Sequence, residues 1–383
     1  MAFTYRHQPV KSLYLVVGGL WLVLRIPYWI IRNLLPSWRP RRNWSLLRSF
    51  AVVFMDEAVA LLLETSLPGP DSPDKLAKTP GFVSIEPVPD KLIVGDIRRF
   101  AEMNGVKTER LSCEARGEDL LFIAWHGVDL SASPSFGPTA LTAEGLLQHC
   151  TNVSKLFAVE YRLASGPPHP IVNPFPACFL DVLAGYHYLV NQLGFSPENI
   201  IVTGDSCGGV LAYQLGRYCT SPGDSQASAP FPLPGGLLLL SPSADSALRP
   251  VPGSSMITNK RSDYTNSWFK ARYSVLSLLG NALSESELDR PWLSPGSTMF
   301  SDEDKGIKGV FTRFPRTMII AGEAEMGRDS MRLLRDRMEK EMGKEKVVYA
   351  EINDAPHDFL GGTLWEPERT IALKEIGRWI AKL

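Results

Sequence analysis

The sequence predicts an α/β fold with a mostly parallel central sheet and helices on both of its faces. From about Leu120 onward, apolar runs of strand length alternate with helical patterns, which is typical of a covered parallel sheet. Between two of the runs, Val182, Tyr186, Leu189 and Leu193 are spaced as one face of a helix. The predicted strands span 119–125, 154–161, 199–204, 236–241, 316–322 and 346–352.

Composition limits the possible function classes. The chain has 383 residues, of which 44% are hydrophobic and 21% charged, enough to bury a sizeable core. A net charge of −1 gives no indication of a nucleic-acid partner. Five scattered cysteines, an odd number without metal-ligand spacing, predict free thiols rather than a disulfide framework.

The N-terminus carries a long apolar segment. From Leu13 to Ile31 the only charged residue is Arg25, and about 20 apolar residues suffice to cross a bilayer. Trp21 and Trp29 suit a membrane interface, so we expect a single-pass membrane anchor. An interfacial helix, a cleaved signal peptide and a buried helix remain open, since Arg25 and Pro27 weaken the spanning interpretation.

The sequence alone leaves the orientation of the chain in the membrane open. Arginines are more numerous after the apolar segment than basic residues before it, which favours a cytosolic main domain. Two Asn-X-Ser tripeptides, at Asn43 and Asn152, favour the opposite side if they are glycosylated.

Two further segments flank the predicted sheet. The residues from Leu46 to Leu63 predict a helix, and the proline-rich stretch 66–81 predicts a linker. Residues 249–280 separate two predicted strands and are too many for a plain crossover, so we expect an insertion over the top of the sheet. Its aromatic residues either contact an apolar substrate or pack the insertion itself; they are Tyr264, Trp268, Phe269 and Tyr273.

The stretch Gly204-Asp205-Ser206-Cys207-Gly208 fits the G-x-S-x-G pattern. It follows a predicted strand and precedes a helix, which is the setting of a nucleophile elbow. Such a turn strains the serine backbone, and small residues two positions before and after it relieve crowding. The alternative is a glycine-rich strand-to-helix loop of the kind that binds nucleotides.

A serine nucleophile needs a general base and an acid to orient that base. His357 is the only histidine after Ser206, and it follows the last predicted strand; the alternative is a surface loop histidine. Glu325, after the preceding strand, is our first choice for the acid and Asp329 the second, although Asp329 is better suited to capping a helix. Glu323 is too close to the strand end.

An oxyanion hole needs backbone N–H donors. One is expected from Cys207, directly after the nucleophile, and the others from the loop His126-Gly127-Val128-Asp129 after an early strand. We expect His126 to hold the shape of this loop.

These residues together resemble the hormone-sensitive-lipase-like branch of the α/β-hydrolases, also called α/β-hydrolase fold 3, from about Leu120 to the C-terminus. "GDSCGG" matches G-D-S-A-G-G, "WHGVD" stands where the family has H-G-G-G, "VEYRLA" is similar to D-Y-R-L-A-P, and "APHDF" sits at G-x-x-H-x-F. The apolar N-terminus followed by "LLPSWRPRRNWS" is similar to fungal membrane-anchored esterases such as steryl acetyl hydrolase.

The resemblance implies Ser206 as nucleophile, Glu325 as acid and His357 as base, with the N–H groups of Val128, Asp129 and Cys207 forming the oxyanion hole. Glutamate replaces the usual aspartate of the family. Valine and aspartate replace two glycines of the oxyanion loop, and the Asp129 charge would oppose a developing oxyanion.

The resemblance also implies the organisation of the chain. We expect an α/β-hydrolase fold with a helical cap and an N-terminal membrane helix. The expected anchor comprises residues 1–36, and a helical and cap region with its linker comprises residues 37–115. The catalytic domain comprises residues 116–383, with a cap insertion at about 246–300.

The predicted function is a membrane-anchored serine esterase, in the endoplasmic reticulum, that hydrolyses a short-chain ester, such as an acetyl ester, of a bulky apolar alcohol. This mechanism requires no cofactor and no metal. An acyltransferase or cyclase of a biosynthetic pathway and a catalytically silent binding protein are the alternatives.

Overall fold

The computed structural model describes residues 3–66, 82–117, 121–125, 138–153, 155–221, 231–299 and 309–383. Its centre is an eight-stranded sheet in the order β1-β2-β4-β3-β5-β6-β7-β8. The two pairs formed by β2 are antiparallel, and all other neighbours are parallel. The strands are β1 Phe82–Ile85, β2 Leu111–Gly117, β3 Leu121–Trp125, β4 Lys155–Val159, β5 Ile200–Asp205, β6 Gly236–Leu240, β7 Arg316–Gly322 and β8 Val347–Ile352.

Helices connect and cover these strands, and all six predicted strands are confirmed as β3 to β8. The described helices are α1 Val10–Arg32, α2 Leu46–Thr65, α3 Gly95–Asn104, α4 Pro138–His149, α5 Ala177–His187, α6 Cys207–Thr220, α7 Ser255–Thr258, α8 Asn266–Ala271, α9 Tyr273–Leu279, α10 Arg328–Met342 and α11 Glu368–Ile380.

The apolar runs are explained by burial on both faces of the sheet. In β6, Leu237 and Leu239 pack into one core with α5, α6 and α10, whereas Leu238 and Leu240 pack into a second core with α4 and α11. All four leucines are buried. A strand that is covered on both sides needs a continuous apolar run, as the sequence shows.

The sheet is larger than the sequence suggested. The strands β1 and β2 and the helix α3 between them lie in a region for which we expected only helices and a linker. β2 pairs with β4 in antiparallel register, so these strands extend the parallel part of the sheet at one edge. The linker residues 67–81 lie outside the described part of the chain.

The helix α1 is long and apolar enough to cross a membrane by length and composition. It packs against α2, and its only buried side chain is that of Trp29. The short helices α7, α8 and α9 lie between β6 and β7, where we expected an insertion, and α2 contacts α8. The N-terminal hairpin, formed by α1 and α2, is thus in direct contact with the cap, formed by α7, α8 and α9.

A buried ion pair joins the end of β4 to α5. The Arg162 guanidinium donates to both carboxylate oxygens of Asp181 at 2.8 to 3.1 Å, and the Asp181 carboxylate also accepts the Arg162 backbone N–H. Asp181 is 1% exposed. Burial raises the pKa of Asp181 to about 6, against the opposing effect of Arg162. Removing Asp181 would leave Arg162 with only the exposed Glu109, at 3.3 Å, as its counter-charge.

We therefore expect Asp181→Ala to lower the free energy of unfolding by about 3–5 kcal/mol. Chemical denaturation of the full-length protein in mild detergent measures this change. Asp336→Ala is the matched control, because Asp336 pairs with Arg335 at an exposed site and such pairs contribute about 0–1 kcal/mol. Equal effects of the two substitutions would contradict the role assigned to the buried pair.

Candidate active site

Ser206 lies on a sharp turn between β5 and α6. Its backbone has φ 57° and ψ −118°, a strained conformation for a residue with a side chain. The Ser206 N–H donates to the Leu240 carbonyl, and the Ser206 carbonyl accepts from the N–H groups of Gly209 and Ser243. These bonds hold the turn at the carboxyl edge of the sheet, with the hydroxyl of Ser206 partly exposed.

Two glycines permit this turn by close backbone packing. A Cβ atom on Gly204 would lie 2.1 Å from the carbonyl oxygen of Gly208. A Cβ atom on Gly209 would lie 2.8 Å from the ring of Pro242. The glycine pattern around Ser206 is therefore required by the crossing of β5 and α6.

The structure brings Ser206, His357 and Glu325 together. Nε2 of His357 lies 2.9 Å from Oγ of Ser206, and Nδ1 of the same ring lies 2.9 Å from Oε2 of Glu325. Glu325 is fully buried and His357 is 7% exposed. The three residues follow β5, β8 and β7, whose carboxyl ends meet at one edge of the sheet.

β6 lies between β5 and β7, and the residues after it occupy the space between the serine and the carboxylate. The Ser241 hydroxyl donates to Oε1 of Glu325 at 2.8 Å, and the Gly322 N–H donates to the same oxygen. Oγ of Ser243 lies 3.3 Å from Oγ of Ser206. Neither serine was predicted as a site residue, although their place directly after a central strand could have indicated them.

A second group of carboxyls, which was also not predicted, adjoins the imidazole. Oδ1 of Asp358 lies 3.2 Å from Nε2 of His357, and its other oxygen accepts a hydrogen bond of 2.9 Å from the Tyr264 hydroxyl. The buried Asp205 carboxyl interacts with Asp358 from below the turn. Nε2 of His357 therefore faces a carboxylate as well as Ser206.

These carboxyls determine the charge state of the ring. Burial acts to lower the pKa of His357, but the charge of Asp358 and the hydrogen bond and charge of Glu325 raise that pKa well above its usual value. Burial raises the pKa of Glu325, and the bond from His357 opposes the rise. Burial and the neighbouring Asp358 also raise the pKa of Asp205 well above its usual value.

The other acidic residues near Glu325 have different partners. The Asp329 carboxylate accepts the Ser255 N–H at 2.8 Å and pairs with Arg328, so it attaches α10 to α7. Asp329 lies in the first turn of α10, and Gly327 occupies the N-cap position, so the capping role for which Asp329 is better suited than Glu325 is not filled by its side chain. Glu323 pairs with Arg41 and accepts the N–H of Asp354.

Of the predicted oxyanion donors, only Cys207 is described. It is the first residue of α6, so its N–H belongs to the positive end of the helix. The loop residues His126, Gly127, Val128 and Asp129 lie outside the described residues.

An open cleft of about 840 Å³ adjoins His357 and Ser243. Its apolar lining comes from the loop after β6, the cap and the start of α10: Leu248, Val251, Met256, Phe269 and Met326. The cap aromatics divide between the two predicted roles. Phe269 lines the cleft, whereas Tyr273 and Trp268 pack against the buried Phe3.

Comparison with known proteins identifies the family of this chain. A family model described as "alpha/beta hydrolase fold" matches residues 143–361. The chain belongs to this family, α/β-hydrolase fold 3 with its hormone-sensitive-lipase-like members, and it is a serine hydrolase of the carboxylic-ester class.

Individual relatives share at most a quarter of their aligned residues with this chain in the examples that follow. An esterase of Acinetobacter venetianus is 25% identical over 285 residues, which cover 74% of this chain and 82% of the relative. The fold is similar to that of a hormone-sensitive lipase from a metagenome library, with 24% identity, a TM-score of 0.53, and 71% of this chain and 82% of that chain covered. Carboxyl esterase 2 of the mycorrhizal fungus Tuber melanosporum gives 19% identity and a TM-score of 0.55 at the same coverage.

The carboxylates around His357 lead to a prediction of pH dependence. A base must be neutral, and a raised His357 pKa keeps the ring protonated to higher pH, so we expect the acid limb of kcat/KM to lie above the pH of an ordinary imidazole, about 6.5. Asp358→Asn removes one charge and should move this limb to lower pH. Turnover of p-nitrophenyl acetate against pH measures the shift.

Asp354→Asn is the matched control. Asp354 and Asp358 occupy the same loop, and both have positive φ angles, 58° and 52°, which asparagine tolerates well. The Asp354 carboxylate contacts Asn43 rather than the imidazole, so its substitution should leave the limb in place. An unchanged limb in Asp358→Asn would show that Asp358 does not act on His357.

Proposed function

We propose that Ser206, His357 and Glu325 form the catalytic triad of a membrane-attached esterase. The observation that carries this proposal is the continuous pair of 2.9 Å contacts through the imidazole, from Ser206 to Nε2 and from Nδ1 to Glu325. Glu325 can hold the tautomer in which Nδ1 carries the proton and Nε2 accepts one.

The proposed reaction has two halves. Oγ of Ser206 forms a bond to the ester carbonyl carbon and gives its proton to Nε2 of His357. Nε2 then protonates the alcohol oxygen as the carbon–oxygen bond to the alcohol breaks, which leaves an acyl group on Ser206. Water then gives a proton to Nε2 of His357 and forms a bond to the acyl carbon. The bond from that carbon to Oγ of Ser206 breaks as Nε2 returns the proton to Oγ, and the carboxylic acid is released.

Backbone N–H groups would stabilise the oxyanion of each tetrahedral intermediate. Cys207 supplies one donor at the start of α6, where the helix dipole adds favourable potential. Val128 and Asp129 are the further donors expected from the sequence. A carboxylate on Asp129 that pointed into this hole would make it less favourable than one built from glycines.

We further propose a short acyl group, such as acetyl, and a bulky apolar alcohol, such as a sterol or a secondary metabolite. The apolar lining of the cleft beside His357 supports a bulky apolar group, and the aromatic residue Phe269 offers it a flat contact. The apolar α1 supports a substrate that is delivered from a membrane of the endoplasmic reticulum.

The nucleophile is tested with full-length protein in detergent. A fluorophosphonate probe should label the wild type and not Ser206→Ala, and p-nitrophenyl acetate turnover should fall by a factor of at least about 10³ in the variant. Ser243→Ala is the control, because its hydroxyl is a neighbour of Ser206 but has no contact with the imidazole among the described residues. Folded wild-type protein that neither reacts with the probe nor turns over ester would favour the silent binding protein.

The acid is tested by comparing two amide substitutions. Glu325→Gln should lower kcat strongly, by about 10²–10⁴, because it disturbs the imidazole tautomer. Asp329→Asn should leave kcat nearly unchanged, since Asp329 contacts Ser255 and Arg328 instead. The reverse order of effects would assign the acid to Asp329.

A further inference from the structure

One face of α1 carries an exposed apolar stripe. Its residues recur at intervals of three and four, which places them on one side of the helix; they are Leu13, Val17, Leu20, Leu24, Tyr28 and Ile31. Each is at least 53% exposed. The stripe runs along the whole helix, which at 1.5 Å per residue is about 35 Å long, and no described residue covers it.

The opposite face of α1 is attached to α2 along its length. Near one end, the N–H groups of Phe3 and Tyr5 donate to carbonyls at the end of α2. Further along, Arg25 forms an ion pair of 2.7 Å with Glu57. Trp29, which is 2% exposed, packs against Phe50 and Phe54. The two helices therefore run antiparallel and contact each other near both ends and between them.

α2 is attached in turn to the catalytic body by polar contacts. The Asp56 carboxylate accepts from the side chain of Asn266 and the N–H of Ser267 in the cap, at 3.0 and 2.7 Å. At the start of α2, Arg48 pairs with Glu368 at 2.9 Å. If α1 crossed a bilayer in this arrangement, α2 and these polar contacts would enter the hydrocarbon as well, which is costly.

A cluster of cations lies beside the C-terminal end of α1. The exposed side chains of Arg32, Lys260, Arg261 and Lys270 line a cleft between the hairpin and the cap, and none forms an ion pair within the described ranges. Burial and the like charge of Arg32 lower the pKa of Arg261. The acidic groups of the cleft are engaged elsewhere: Glu57 with Arg25, Asp56 with α8, and Asp263 with Thr265 and Met326.

We propose that α1 lies flat on an anionic lipid bilayer, with the stripe from Leu13 to Ile31 in one leaflet and the cluster Arg32, Lys260, Arg261 and Lys270 on the lipid phosphates. An exposed apolar face bordered by cations is the pattern of an in-plane membrane helix. This inference rests on the proposed membrane attachment and replaces the single-pass arrangement. It places the cap, and the cleft that it lines, next to the lipid surface.

The positions of the two ends of α1 distinguish the arrangements. Gln8→Cys and Ser37→Cys, made separately in full-length protein, place a thiol before and after the helix. In sealed microsomes, an impermeant maleimide should treat both thiols alike: both react, or both react only after permeabilisation. The unsubstituted protein measures background from native cysteines. Thiols on opposite sides would overturn the in-plane helix while leaving membrane attachment intact.

The apolar stripe is tested by flotation with vesicles of phosphatidylcholine and phosphatidylserine. Leu24→Glu should reduce binding at least about tenfold, since Leu24 is 70% exposed on the stripe. Ile371→Glu, at an apolar residue that is 49% exposed on α11, is the matched control and should bind normally. If Leu24→Glu floated like the wild type but formed a smaller oligomer in detergent, the result would show instead that a second copy of the chain covers the stripe.

The cation cluster is tested by lipid charge. The wild type should bind vesicles containing phosphatidylserine at least about tenfold more tightly than pure phosphatidylcholine, and Arg261→Glu with Lys270→Glu should abolish this preference. Equal binding to the two vesicles would overturn the role of the cluster. Absence of all flotation would overturn membrane attachment itself. Turnover of soluble p-nitrophenyl acetate by each variant, expected at the wild-type rate, keeps these outcomes separate from failure of the esterase assignment.

Discussion

A Cβ atom at position 204 would lie 2.1 Å from the carbonyl oxygen of Gly208, and this close approach of β5 to α6 is the constraint on which the site depends. It allows the chain to reverse at Ser206 with a positive φ of 57°, so that the hydroxyl rises above the sheet edge. Backbone hydrogen bonds from Ser206 to Leu240, Gly209 and Ser243 stabilise this strained turn. From this fixed position the serine reaches a histidine that is 151 residues further along the chain.

The second constraint is electrostatic. His357 is almost completely buried, yet three carboxylates surround it, on Glu325, Asp358 and Asp263. Glu325 holds Nδ1 and receives two further hydrogen bonds, so its position is determined from three sides. Asp358 has a less usual place, because its Oδ1 lies 3.2 Å from Nε2, the nitrogen that also contacts Ser206. This arrangement stabilises an imidazolium. In the proposed mechanism it would therefore favour the steps that follow proton removal from Ser206, but it raises the pH at which the free base forms.

The sequence predicts the parts of the fold that repeat a simple pattern. Strands buried on both faces, such as β6, need unbroken apolar runs, and the turn at Ser206 needs its glycines. Both patterns can be recognised in the sequence.

The antiparallel strands β1 and β2 were missed because a short edge strand such as Phe82–Ile85 has no distinctive period. Glu325 and His357 followed from their positions after strands. Asp358 and Tyr264 could not be predicted, since their proximity depends on the order in which the strands assemble and on how the cap folds over them. The hairpin of α1 and α2 was likewise hidden, because one charge in an apolar helix does not reveal its partner 32 residues away.

The proposed mechanism requires that Ser206 carries the acyl group, rather than Ser243, whose hydroxyl lies 3.3 Å away. Peptide mass spectrometry of the full-length protein, quenched in acid during turnover of a slow ester or after reaction with a fluorophosphonate, locates the covalent group directly. We predict a single adduct on Ser206 that is absent when His357 is replaced by alanine and the ester is the reagent. An adduct on Ser243, or on no serine of a protein that still hydrolyses the ester, would contradict the proposed mechanism.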